Sequence, residues 1–142
     1  DAERRADAVA FGADATANPR AAGWKDSLPA EGFDFVIDAA GSAETFETAV
    51  SLAARGGRIL VFGAAPEKAA ASIRPYEVFS KELTILGSLI SPNTHERAVS
   101  LLPQMGLEKL RILAFPLGRF QEAFAAQTAG TAATKVEILP QE

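Results

Sequence analysis

Between Gly32 and Pro66 the chain reads GFDFVIDAAGSAETFETAVSLAARGGRILVFGAAP, and the spacing of its apolar residues changes twice. Phe33 to Ala39 is an apolar run with almost no polar alternation on its inner part, which predicts a strand covered on both faces, as in a parallel sheet. Phe46, Ala49, Val50 and Ala53 recur at helical spacing. They predict a helix that Ser42 caps and Gly56-Gly57 end. Arg58 to Phe62 predicts a second buried strand, stopped by Gly63 and Pro66. Upstream, Ala2 to Phe11 reads as a helix stopped by Gly12, and Asp14 to Asn18 as a short strand closed by Pro19. Arg20 to Ala30 reads as a loop with one helical turn near Trp24. Downstream, Tyr76 to Lys81 is a short helix opened by Pro75, and Leu83 to Ile90 a third buried strand. Asn93 to Met105 is a helix with a capping-box-like Asn93/Glu96 start, ended or kinked by Pro103. Arg111 to Leu117 is extended. Phe120, Ala123, Phe124 and Gln127 mark a last helix up to Gly130, and Thr134 to Pro140 a final alternating strand.

Strand and helix in alternation predict an α/β domain with a parallel sheet, its right-handed crossovers placing helices on both faces. Each of the three central strands then ends in small residues: Ala39-Ala40-Gly41-Ser42, Gly63-Ala64-Ala65 and Gly87-Ser88. In an open parallel sheet, ligands bind beyond the carboxyl ends of the strands. Small side chains there let a flat ligand approach the backbone, so these ends are candidates for a cleft floor. The alternative is that glycine and alanine simply suit such turns.

Composition narrows the chemistry. The chain has 142 residues, about half of them apolar, and a net charge of −4 with no basic block. That fits one ordinary domain and argues against nucleic-acid binding, which needs a concentrated Lys/Arg surface. There is no cysteine and a single histidine, His95. A disulfide is therefore excluded, and a zinc site built from this chain alone is not expected. His95 reads as a surface residue at a helix start, and Asp38 as a turn-forming residue at a strand end. No run reaches membrane-spanning length, so a cytoplasmic location is expected. The chain begins at Asp1 without an initiator Met, and its first residues already read as mid-helix, so a fragment or a processed chain is expected. No G-x-G-x-x-G, Walker loop or nucleophile elbow occurs.

Taken in order, ERRADAVAFGAD, FDFVIDAAGS, AARGGRILVFG, FSKELTILGS, FPLGRFQEAF and TKVEILP make the sequence similar to the medium-chain dehydrogenase/reductase superfamily, the zinc-type alcohol, polyol and threonine dehydrogenases. The resemblance covers essentially the whole chain, and it matches the C-terminal half of such proteins. It implies that residues 1–90 form an incomplete Rossmann-type, doubly wound, dinucleotide-binding domain lacking its first strands and glycine-rich turn. It implies that residues 91–142 return to a catalytic domain outside this chain, where the last strand would pair.

The resemblance also implies site residues. Arg4 matches the basic position beside the adenosine ribose, although it could equally pair with Asp7 on the helix surface. Ala39, Ala40 and Gly41 match a turn lining the cofactor. Phe62, Gly63 and Ala64 match backbone that hydrogen-bonds the nicotinamide carboxamide, and Gly87, Ser88 and Leu89 a turn below the same ring. Lys135 matches a basic residue near the pyrophosphate; a solvated strand lysine is the other reading.

The implied cofactor is NAD or NADP, with zinc expected only in the missing half, where the catalytic and metal-binding residues would also lie. The implied reaction is hydride transfer between an alcohol or carbonyl substrate and nicotinamide, and the isolated chain is expected to be inactive. Zinc-free quinone or enoyl reductases of the same superfamily, or a non-catalytic nucleotide-binding module, are the alternatives. A homo-oligomer is expected, with the third strand as a candidate sheet edge.

Overall fold

Order in this chain is set by two separate sheets. A computed structural model describes residues 1–90, 93–130 and 135–141. The chain divides into two compact units, Ala22–Pro92 and Asp1–Ala21 with Asn93–Glu142. The sequence boundary at residue 90 would group residues 1–21 with the central strands instead. The link from residues 1–21 to the C-terminal part is electrostatic. Arg111 donates two hydrogen bonds to the Asp7 carboxylate, at 3.1 and 2.6 Å, and one to Glu3 at 3.0 Å. Lys109 Nζ donates to the Ala10 carbonyl at 3.0 Å. Helix α1, Ala2–Ala10, opens on Asp1, whose carboxylate accepts from the Glu3 N–H.

In the 22–92 unit a single 3-10 turn at Trp24–Ser27 precedes β1, Phe33–Asp38. Helix α2 spans Ala43–Leu52 and β2 spans Ala53–Val61. Helix α3, Pro75–Lys81, carries its proline in the first turn, and β3 is Thr84–Gly87. The strands pair in parallel in the order β1-β2-β3, so β3 is an edge, as expected. Ser42 is the N-cap of α2: Ser42 Oγ accepts from Thr45 N–H, and Thr45 Oγ1 accepts from Ser42 N–H, a reciprocal box. Such a cap is worth about 1 kcal/mol.

Four expectations fail, the first of them in residues 1–21 and the other three in the 22–92 unit. Asp14–Asn18 is not a strand, and no ladder partner is present for it among the described residues. Helix α2 stops at Leu52, ahead of Gly56-Gly57, with Ala53 already extended. Its last carbonyls have another partner: Lys81 Nζ donates to those of Val50 and Ser51, both at 3.2 Å. The four residues Ala54–Gly57 then bulge out of the β1–β2 ladder, between the pairs Phe33↔Ala53 and Phe35↔Arg58.

The third failure is the two-sided burial of the strands. Val36 and Ile59 share the helix-covered face with Ala49, Val50 and Phe46. On the opposite face Phe35 and Ile37 are 70% and 62% exposed and Leu86 is 49% exposed. Fourth, helices do not cover both faces of this sheet among the described residues. Strands in the order 1-2-3 joined by crossovers of one hand put both helices on one side, and Lys81 of α3 reaching α2 is consistent with that.

In the other unit α4 is His95–Leu101, β4 Ile112–Pro116, α5 Phe120–Ala129 and β5 Lys135–Leu139. Thr94, not Asn93, stands at the N-cap of α4. Asn93 adopts a left-handed backbone, φ 57°, which displaces the start by one residue and breaks the predicted Asn93/Glu96 box. Pro103 falls in the 3-10 turn that ends the helix. Gly130 closes α5 in a left-handed cap, as its position predicted. β5 pairs in parallel with β4, from Ile112↔Lys135 to Pro116↔Leu139, so the last strand finds its partner inside this chain. The predicted first residue of that strand, Thr134, lies outside the described residues. His95 is exposed at the first position of α4, as expected.

Candidate functional site

The carboxyl ends of β1, β2 and β3 lie side by side, and this brings three of the predicted segments together. Asp38 pairs with Val61, and Val61 with Gly87. The Ser88 N–H donates to the Val61 carbonyl at 3.1 Å. Ala39-Ala40-Gly41, Phe62-Gly63-Ala64 and Gly87-Ser88 therefore form one row.

The first two turns are in backbone contact. Gly41 has φ +70°, and a Cβ built on it would lie 2.7 Å from the carbonyl carbons of Gly63 and Ala64. A Cβ on Gly63 would run into Gly41 N and come within 2.8 Å of the carbonyl carbons of Ala39 and Ala40. Glycine at positions 41 and 63 is thus required by the way the turns pack on each other. Gly87 is different. Its φ is not left-handed, and a Cβ there would meet nothing within 4 Å. Neither backbone conformation nor packing among the described residues requires glycine at that position.

Asp38 is 5% exposed, and its Oδ1 accepts from the N–H groups of Ala40 and Gly41, each at 3.2 Å. The turn-forming role read from sequence is the one observed. A cleft of about 350 Å³ opens beside this turn, lined among others by Asp38, Ser42, Phe46, Ala65 and Ile73. No local pattern announces this cleft, because Ala65–Ile73 carries no periodicity and folds back onto α2 only through long-range contact.

Two backbone donors of the row are open. The N–H groups of Ala64 and Ala65 have no hydrogen-bond partner among the described residues, and the alanine side chains leave them open. Phe62 is 61% and Leu89 85% exposed, so the ends of the second and third strands carry open apolar surface. Zinc does not fit. The chain has no cysteine and one histidine, and no group of three or more His, Cys, Asp or Glu able to hold a metal exists among the described residues.

Arg4 and Lys135 belong to the other unit. Among the described residues the ion-pair partner of the Asp7 carboxylate is Arg111 and not Arg4. The Arg4 guanidinium lies 3.8 Å from where a Gly130 Cβ would stand. Lys135 is exposed at the start of β5 and lines a cleft of about 400 Å³ with Phe120, Phe124 and Gln127. The perturbed titrating groups also fall in this unit. Hydrogen bonds from Arg119 hold the Glu122 carboxyl below the usual glutamate range, and those of Asp7, then Glu3, raise Arg111.

The family model for zinc-binding dehydrogenases matches residues 1–104. The chain belongs to that family. D-altritol 5-dehydrogenase of Agrobacterium fabrum (strain C58 / ATCC 33970) is 32% identical over 108 residues, 75% of this chain and 32% of that protein. D-arabinitol dehydrogenase 1 of Uromyces fabae is 32% identical over 71 residues, 50% of this chain and 20% of that protein. Among solved structures, a Sinorhizobium meliloti 1021 protein assigned as a zinc-binding dehydrogenase and bound to NADP superposes with a TM-score of 0.84 at 28% identity. It covers 99% of this chain and 43% of its own. The chain therefore spans a third or less of the curated relatives it matches. The parallel sheet, the α/β order and the dehydrogenase resemblance read from sequence all agree with these findings.

Proposed function

We propose that this chain supplies the nicotinamide-facing strand ends of an NAD(P)-dependent, alcohol dehydrogenase-like oxidoreductase that moves hydride between an alcohol or carbonyl substrate and the cofactor. The observation that carries the reading is the row of strand-end turns and, within it, Gly87, whose open space the described residues do not need. The family match and the polyol dehydrogenases among the relatives support it. In this reading the Ala64 and Ala65 N–H groups hold the carboxamide, Phe62 and Leu89 shield the ring from water, and Ala39–Gly41 and Gly87–Ser88 set its depth. Arg4 is proposed to lie beside the adenosine ribose and Lys135 near the pyrophosphate, whose negative charges a cation would offset. The bound cofactor supplies the hydride chemistry, and the protein supplies position and electrostatics.

The functional division proposed is a nucleotide-binding part up to residue 90 and a C-terminal part serving a catalytic domain. Catalytic groups and zinc ligands are assigned outside this chain, because its own donors do not fit a metal. The enzyme is proposed to be cytoplasmic and homo-oligomeric, with β3 at the edge. The test is to assay the native protein carrying this chain, and residues 1–142 alone, with a panel of alditols and NAD or NADP, following nicotinamide absorbance. The native protein is expected to form NADH or NADPH in an alditol-dependent way, and the 142-residue chain to form none. Turnover by the chain alone would overturn the division of labour. Tight cofactor binding without turnover of any alcohol by the native protein would favour a binding module.

A further inference from the structure

Asp38 anchors two turns at once. Its Oδ1 accepts from the Ala40 and Gly41 N–H groups at 3.2 Å, and its main-chain carbonyl accepts from the Phe62 and Gly63 N–H groups at 3.0 and 2.7 Å. It is the one buried charged residue among those described. A buried carboxylate is costly unless it is hydrogen-bonded, and bonds to a charged acceptor are stronger than neutral ones. The arrangement has a geometric consequence. In a trans peptide the C=O points opposite to the N–H, and no cis bond occurs here. With the N–H groups of Ala40 and Gly41 turned to the Asp38 carboxylate, the carbonyls of Ala39 and Ala40 are turned away from it. Neither carbonyl has a hydrogen-bond partner among the described residues, and both residues are exposed.

We infer that Asp38 is a positioning residue: its carboxylate holds the Ala39 and Ala40 carbonyls outward as acceptors for the hydroxyl or amide donors of a nicotinamide nucleotide. The inference rests on the cofactor reading above. The acceptor geometry, and not the charge, is what the turn requires. An asparagine places an oxygen at the same distance from the backbone. A glutamate keeps the charge but carries it one methylene too far.

The test uses the native protein carrying this chain and three variants, Asp38→Asn, Asp38→Glu and Asp38→Ala. NADH and NADPH binding is titrated, and amide hydrogen exchange is read at Ala40, Gly41 and Ile59. Loss of the two bonds in Asp38→Ala is expected to weaken binding roughly tenfold or more. Exchange at Ala40 and Gly41 should accelerate while Ile59 stays protected. Asp38→Asn should restore binding to within about threefold of the parent, and Asp38→Glu should not. Equal binding by a folded Asp38→Ala variant, unchanged exchange at Ala40 and Gly41, or rescue by Glu instead of Asn would overturn the inference. Should Asp38→Ala not fold, the Asn–Glu comparison decides alone. If the parent protein binds neither NADH nor NADPH, the cofactor reading fails, and the exchange data still decide whether Asp38 holds the turn.

Discussion

Gly41→Ala and Gly63→Ala are expected to disrupt the strand-end row, and the first more than the second. In each case the added methyl meets backbone, which cannot rotate aside as a side chain would. Overpacking of this kind costs about 1–3 kcal/mol. At Gly41 the left-handed φ of +70° adds roughly 1–2 kcal/mol for a residue with a Cβ. Gly56 is an internal control: its φ is +73°, but a Cβ there meets nothing within 4 Å. Gly56→Ala should therefore show the strain term alone. Denaturant midpoints of the native protein and the three variants would give the order Gly41→Ala, Gly63→Ala or Gly56→Ala, parent, from least to most stable. A Gly41→Ala variant no less stable than Gly56→Ala would contradict the backbone contact between the two turns.

Ile59→Ala is expected to cost about 2–5 kcal/mol, the usual range for emptying a closed core position. Ile59 is fully buried, on the central strand, with Ala49, Val50 and Ala53 around it. Val36, Phe46, Ile73 and Leu83 pack against this cluster and lose their contacts with the side chain when it is truncated. Domains are stable by only about 5–15 kcal/mol in total, so the variant should unfold at a markedly lower denaturant concentration. Phe35→Ala, on the same sheet but 70% exposed, should change stability by under ~1 kcal/mol. Chemical denaturation followed by Trp24 fluorescence checks both. Comparable losses for the two variants would mean that the face bearing Phe35 is covered in the native protein.

Local signals in the sequence were faithful where one residue sets the outcome. Ser42 caps α2, Pro75 opens α3, Gly130 closes α5 and Asp38 makes its turn, because each acts within a few positions of itself. Apolar runs were less informative. FDFVID and TILG look buried on both faces, yet only the helix-facing residues of β1 and the center of β2 are covered, because burial depends on what lies opposite and not on the strand itself. The end of α2 was misplaced because a distant lysine, Lys81, caps it. The pairing of β5 with β4 could not be read, since a long loop-closing contact leaves no periodic trace. At the site, the small residues at the strand ends were visible and their mutual contact was not. Arg4 and Lys135 rest on the resemblance alone, and neither forms an ion pair among the described residues.

The central claim, that a nicotinamide nucleotide rests on these strand ends, is tested most directly at Gly87. Among the described residues that glycine is needed neither by the backbone nor by any neighbour within 4 Å. NADH and NADPH affinity and the denaturant midpoint should be measured for the native protein and its Gly87→Val variant. The account predicts an unchanged midpoint, within about 0.5 kcal/mol, and cofactor binding at least roughly tenfold weaker, since a branched side chain would fill the space the ring needs. Full affinity in a folded Gly87→Val protein would place the cofactor elsewhere and contradict the account.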